Sequence, residues 1–275
     1  MIIIDSTTDL AENFKNRVTI VPLIVSFGEK EYLDGIDLSR DDFYEKLVKE
    51  DVLPTTSQAS PAVFEKYFED VRKKGMDAIV ITLASKLSGT YQSACIAAED
   101  YPEISVIDSK SVAVGAGILA EYAILKAEQG ISREALVQDL LTKRDEICLV
   151  AMLDTLEYLM KGGRISKTAA IAGGMLNIKP VVTVLDGEVL VLGKARGAKK
   201  ANNLLVEQIQ KYGVKYELPV LLGYSGISKD LLENYINDSS ALWVGHIDTL
   251  DVSQICSVVG THVGPGAVAV AFFKA

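Results

Sequence analysis

The sequence predicts an α/β protein of two domains, the first a mostly parallel sheet flanked by helices, the second an α/β domain containing a β-hairpin. Three observations carry this prediction. Short β-branched runs alternate with helical segments through the first half of the chain. Those runs are continuously apolar rather than alternating, as strands covered on both faces require. From Ile147 the pattern gives way to a stretch rich in glycine and small residues, followed by a hairpin, which places a boundary near residue 148 and domains at 1–148 and 149–275.

Taken in order, the strand segments of the first half are 2–4 (III), 18–27 (VTIVPLIVSF), 77–83 (DAIVITL) and 104–107 (ISVI). The helix "SRDDFYEKLVKE" opens at Ser39 with Asp42 three residues on, a capping-box spacing. The next, "SPAVFEKYFEDVRKKG", has Ser60 as N-cap, Pro61 in its first turn and Gly75 as its stop. Val63, Phe64, Tyr67, Phe68 and Val71 fall on one face of it. Further helices are expected over 88–101, 111–129 and 132–146. In the second half, "KPVVTVLDGEVLVLGKAR" reads as a hairpin turning at Asp186-Gly187. Helix 198–212, strand 218–224, helix 228–237, strand 241–247, helix 249–259 and strand 267–273 follow.

Composition narrows the function. Of the 275 residues 49% are hydrophobic, too many for disorder, and the net charge of −9 disfavours nucleic acid and anionic membrane surfaces as nonspecific partners. Cys95, Cys148 and Cys256 lie far apart in apolar or helical sequence, without metal-ligand spacing. They are expected as small core residues of a protein in a reducing compartment. The opening MIIIDSTTDL has neither the basic region nor the long apolar run of a signal peptide. The longest apolar stretch, 111–130, is interrupted by Glu121 and too short to span a bilayer, so a cytoplasmic location is expected.

Candidate chemistry lies in three loops. "PTTSQASP" (54–61) packs hydroxyls and an amide before a helix start; a turn and N-cap account for Ser60 but leave Thr55, Thr56, Ser57 and Gln58 unexplained. "LASKLSGTYQSA" (83–94) sets Ser88, Gly89 and Thr90 at the C-terminal end of a strand, opening a helix. This is either a plain cap or an anion site, because free N–H groups and the helix dipole point there. It lacks the Gly-Lys-Ser/Thr end of a P-loop, which excludes a nucleotide triphosphate. "VVGTHVGPGAVAVAF" (258–272) holds His262, one of two histidines, among glycines that suit turns or close approach to a ligand. A lone histidine is either a satisfied structural group or a ligand contact, and His246 is read as structural.

The motifs "DSTTDL", "PTTSQASP", "LSGTYQSA", "LEYLMKGGRIS", "KPVV" and "GTHVGPGAVAVAF", in this order and spread over the whole chain, resemble the DegV family. Its members include the fatty-acid-binding FakB subunits of bacterial fatty acid kinases. The resemblance implies two α/β domains with one long-chain fatty acid between them as ligand, and no cofactor or metal. Carried over by position, it implies a carboxylate met by Thr56, Ser88 and His262, with Ser57, Gly89 and Thr90 beside them. Ala59 departs from the family, which often has proline there. "SVAVGAGILAEYAIL" (111–125) and "TAAIAGGMLNI" (168–178) offer small and large apolar residues for channel walls, or else are ordinary core helices.

The resemblance further implies docking to the ATP-binding subunit of a fatty acid kinase, which phosphorylates the presented carboxylate, and it leaves room for transient membrane contact. Arg164 in "KGGRISK" and Arg196 in "GKARGAKK" suit that docking surface, although solvated surface charge is their default explanation. No catalytic residue is expected on this reading. The alternative from another class is a serine hydrolase acting on a lipid-like ester with Ser88 as nucleophile and His262 as base. "KLSGTY" is not a G-x-S-x-G elbow, however, and no acid stands out as partner for the histidine.

Overall fold

The computed structural model describes residues 1–50, 52–166 and 177–275. Strands β1 (Ile2–Asp5), β2 (Thr19–Val21), β6 (Ala78–Thr82) and β7 (Ile104–Asp108) form an all-parallel sheet in the order β2-β1-β6-β7. Every residue of β6 is buried, as the unbroken run AIVIT requires. Helices α1 (Arg40–Lys49), α2 (Pro61–Lys73), α3 (Thr90–Ala98), α4 (Ala113–Glu128) and α5 (Arg133–Lys143) belong to the same half of the chain. Ser39 caps α1 by accepting the Asp42 N–H, as its spacing predicts, and Pro61 opens α2, which buries Phe64, Phe68 and Val71. The side chain of Ser60 makes no cap bond.

The run 18–27 is two strands rather than one. It breaks at Pro22, which cannot donate to a ladder, and the Leu23 N–H turns instead to Ser6 Oγ. Beyond the break, β3 (Ile24–Phe27) sits between β4 (Lys30–Leu33) and β5 (Thr55–Ser57) in a small antiparallel sheet. Thr56, read from sequence as loop, is therefore a strand residue opposite Val25. Three residues carry too little pattern to announce a strand.

Six strands make the second sheet in the order β10-β9-β8-β13-β11-β12. They are β8 (Ile147–Met152), β9 (Ile178–Leu185), β10 (Glu188–Arg196), β11 (Leu221–Tyr224), β12 (Asp251–Gln254) and β13 (Val268–Phe273). The β9–β10 hairpin turns at Asp186 and Gly187, both with positive φ, as Asp-Gly predicts. Helix α6 (Glu157–Lys161) follows β8, and α7 (Ala198–Tyr212), α8 (Asp230–Asp238), α9 (Ser240–Trp243) and α10 (Ser257–Val263) are the later helices among the described residues.

Two expectations fail here. Segment 241–247 is not a strand: α9 ends at Trp243, whose indole N–H bonds Ser239 Oγ. Segment 249–259 is not one helix either, but β12 followed by the start of α10. ALWV is a four-residue apolar run without a period, and such runs fit either element.

Strand alternation gives the second sheet two different faces. Val150, Met152, Val268, Val270, Phe272 and Leu222 face Leu205 and Ile209 of α7 and Leu232 of α8. The opposite face carries Leu149, Ala151, Gly223, Ala269 and Ala271, most of them small, and there α4 packs between the two sheets. A helix covered on both sides is apolar all round, and α4 is buried from Ala113 to Ile124.

Candidate functional site

A cavity of about 380 Å³ opens between the C-terminal ends of β1 and β6 and the small-residue face of the second sheet. Its volume falls in the range of small-molecule sites, and the edge it occupies is where open α/β sheets bind ligands. The wall is apolar: Leu149 and Ala151 from β8, Val182 and Val184 from β9, Ala269 from β13, and Val258, Val259 and Val263 from α10.

This wall differs from the one read in the sequence. Of 111–125, only Val112 and Ala113 reach the cavity, and the remainder is the interlobe core helix α4. Gly117 is there because a β-carbon would collide with the Asp9 carbonyl. Segment 168–178 lies outside the described residues except for Asn177 and Ile178.

Set against that wall is a group of polar side chains. Thr56, Ser57, Gln58, Ser88, Gly89, Arg164 and His262 all line the same cavity. Thr56 arrives on β5, Ser88 just ahead of α3, and His262 on the last turn of α10. Thr56 Oγ1 and His262 Nε2 lie 2.9 Å apart. Ser88 Oγ lies 2.9 Å from the hydroxyl of Thr90, which is itself fully buried and does not line the cavity. Arg164 spans the two loops, donating to the carbonyls of Leu87 (3.2 Å) and Gly162 (2.6 Å). The sequence reading set Arg164 at a docking surface, whereas its side chain lines the cavity. Arg196 is exposed at the end of β10, away from the lining.

His262 stands in a helix, not in the glycine-rich loop that follows it. Gly260 lets α10 pack on Phe43 and Tyr44 rather than on a ligand. Burial, with the positive charge of Arg164 adding to it, lowers the His262 pKa to about 4. The imidazole is therefore neutral near pH 7. Its Nδ1 is buried and has no hydrogen-bond partner among the described residues.

These distances do not support the hydrolase alternative. The histidine pairs with Thr56, Ser88 pairs with Thr90, and among the described residues no carboxylate orients the imidazole. Among the described residues no group of three His, Cys, Asp or Glu could hold a metal, and no helix is long and apolar enough to cross a membrane.

Sequence reasoning missed what the first acidic residue of DSTTDL does. Asp5 is wholly buried and accepts the N–H and hydroxyl of Thr7 and the N–H of Leu83, tying the ends of β1 and β6 together beneath the cavity. Burial raises its pKa to about 6 despite those bonds. An acid closing the apolar run Ile2–Ile4 was the available signal. Thr7 and Leu83, the residues it holds, both line the cavity.

Comparison with known proteins extends the geometry. A family model described as an uncharacterised protein of the DegV family matches residues 1–275. A DegV domain-containing protein of Caldanaerobacter subterraneus subsp. tengcongensis is 37% identical over 277 residues, covering 98% of this chain and 97% of that one. Among solved structures, one described as fatty acid binding of a DegV family protein from Thermus thermophilus superposes with a TM-score of 0.89 at 29% identity. It covers 100% of this chain and 99% of that one. A stearic acid-binding protein from Eubacterium ventriosum superposes with a TM-score of 0.88 at 30% identity, covering 99% and 97%.

Proposed function

This chain belongs to the DegV family, and from that premise we propose that it binds one long-chain fatty acid in the cavity between its two lobes, the tail against the valine and alanine wall and the carboxylate among Thr56, Ser88 and His262. The observation that carries this reading is the convergence of those residues, from distant parts of the chain, on one apolar cavity. Burying ~14 methylenes at about 0.8 kcal/mol each offers roughly 11 kcal/mol before the cost of ordering the chain. A carboxylate leaving water must keep its hydrogen bonds. Ser88 supplies a hydroxyl donor, His262 donating from Nε2 to Thr56 leaves the Thr56 hydroxyl free to donate to the carboxylate, and Arg164 supplies a positive charge beside them. Ser57 and Gly89 line the same region, and Thr90 fixes the Ser88 hydroxyl from behind.

The finer reading is that the protein presents this carboxylate to a separate ATP-dependent kinase for acyl-phosphate formation and is not itself an enzyme. Its support is the exposed basic end of β10 at Arg196, outside the cavity that would hold the lipid. Native mass spectrometry of the purified protein should show a fatty-acid mass, and added oleate should bind. Ser88→Ala and His262→Ala should weaken oleate binding by on the order of tenfold, the loss of a charge-assisted hydrogen bond. Protein that carries no lipid and does not bind oleate or palmitate would overturn the reading.

A further inference from the structure

The segment that enters α10 is gripped, residue by residue, by side chains of the other lobe. The carbonyl of Gln254 accepts from the Arg40 guanidinium. The carbonyl of Ile255 accepts from the Tyr44 hydroxyl at 3.1 Å. The N–H of Cys256 donates to Asp9 Oδ1 at 3.1 Å, and the N–H of Ser257 donates to Asp34 Oδ1 at 3.2 Å. Arg40 also pairs with Asp9 at 2.9 Å, so two of the four grips brace each other. Asp9 and Asp34 are 0% and 3% exposed, and both lie more than two hundred residues from the backbone they hold.

From this we infer that Asp9, Asp34, Arg40 and Tyr44 form an interlobe clasp that sets the position of α10, and through it aims His262 and the wall residues Val258, Val259 and Val263 into the cavity. They are positioning residues, because none of these four lines the cavity. The physical argument is one of length. Helix α10 has seven residues, too short to be held by its own hydrogen bonds alone, and its first N–H groups have no partner within the helix. Buried carboxylates take those donors, while Gly260 allows close packing against Phe43 and Tyr44. His262 stands on the last turn, so its ring follows any tilt or slide of the first.

The inference deepens the fatty-acid reading and rests on it only for the consequence to affinity. Its primary readout is the His262 ring signal in a proton–carbon NMR spectrum, which contains two histidines. The other, His246, is exposed and stacked on Tyr216, and serves as an internal reference. Asp34→Ala should move the His262 signal and weaken oleate binding about tenfold, while Asp34→Asn, which keeps an acceptor at Oδ1, should stay within about twofold of the parent. Leu205→Ala, a cavity on the far face of the second sheet, should lower Tm yet leave both readouts unmoved. Should Asp34→Ala fail to fold, Tyr44→Phe removes only the hydroxyl on Ile255 and should shift the same signal.

An unmoved His262 signal in the clasp variants overturns the inference, as does an equal shift in Leu205→Ala. If the parent protein does not bind oleate, the fatty-acid reading fails and the His262 signal still decides the clasp.

Discussion

At Gly162 any β-carbon would collide with His262 Nδ1, so the glycine of KGGRIS is a space requirement set by a ring one hundred residues downstream. Gly162 has φ −74°, a conformation every residue adopts, so Gly162→Ala adds no backbone strain and acts by pushing the buried imidazole away from Thr56. Oleate binding should fall by on the order of tenfold and Tm by a few degrees, as the loss of one buried hydrogen bond requires. A calorimetric titration beside a thermal melt checks both, and unchanged affinity would remove the close packing of this ring from the account. Gly89 is a milder case. There the obstruction is the end of a flexible side chain, Gln58, whose amide is tied to Ser93 Oγ by one hydrogen bond of 2.8 Å.

Helix α4 owes its sequence to its place. It lies between two sheets, so the apolar stripe of a surface helix gives way to an apolar cylinder, and the one acid in its buried part, Glu121, must find a partner inside. It accepts the N–H of Ala11 at 2.8 Å, and burial lifts its pKa to about 8. The folded chain therefore holds a proton on Glu121 that the unfolded chain releases above about pH 4.5. Between that pH and about 8 the folded state binds more protons, so this group's contribution to stability declines as pH rises. Glu121→Gln, which cannot ionise, should lose less Tm than the parent between pH 5 and pH 8 and should be the more stable at pH 8. A pair of melts at each pH checks it; parallel curves would mean that Glu121 is ionised without penalty. Legibility at this scale followed pattern length. The thirteen residues of α2, capped by proline and glycine, and the Asp-Gly hairpin were readable locally. The short strand at Thr55–Ser57 and the α9–β12–α10 succession were not, because runs of three or four residues fit any element until neighbours pair with them.

On the scale of the molecule, two lobes meet over α4, the clasp at Gln254–Ser257 and the cavity lining, and the fatty-acid reading treats that meeting as the binding site. Arg196 lies outside it, exposed at the end of an edge strand. If it contributes to kinase docking, Arg196→Ala should reduce acyl-phosphate formation by a partner kinase while the protein keeps its bound lipid. Lipid lost in proportion to turnover would return Arg196 to the lipid site.

The sequence by itself determined the α/β class, the long helices and the hairpin turn, because propensity, capping and turn chemistry act over a few residues and are written there directly. Its ordered motifs also carried the family resemblance and drew attention to Thr56, Ser88 and His262. Tertiary structure alone decided that His262 faces Thr56 across 206 residues of chain and not Ser88, that burial keeps it neutral, and that Arg164 turns inward. Those outcomes depend on how two sheets close on one helix, and closure brings together residues between which no local pattern runs.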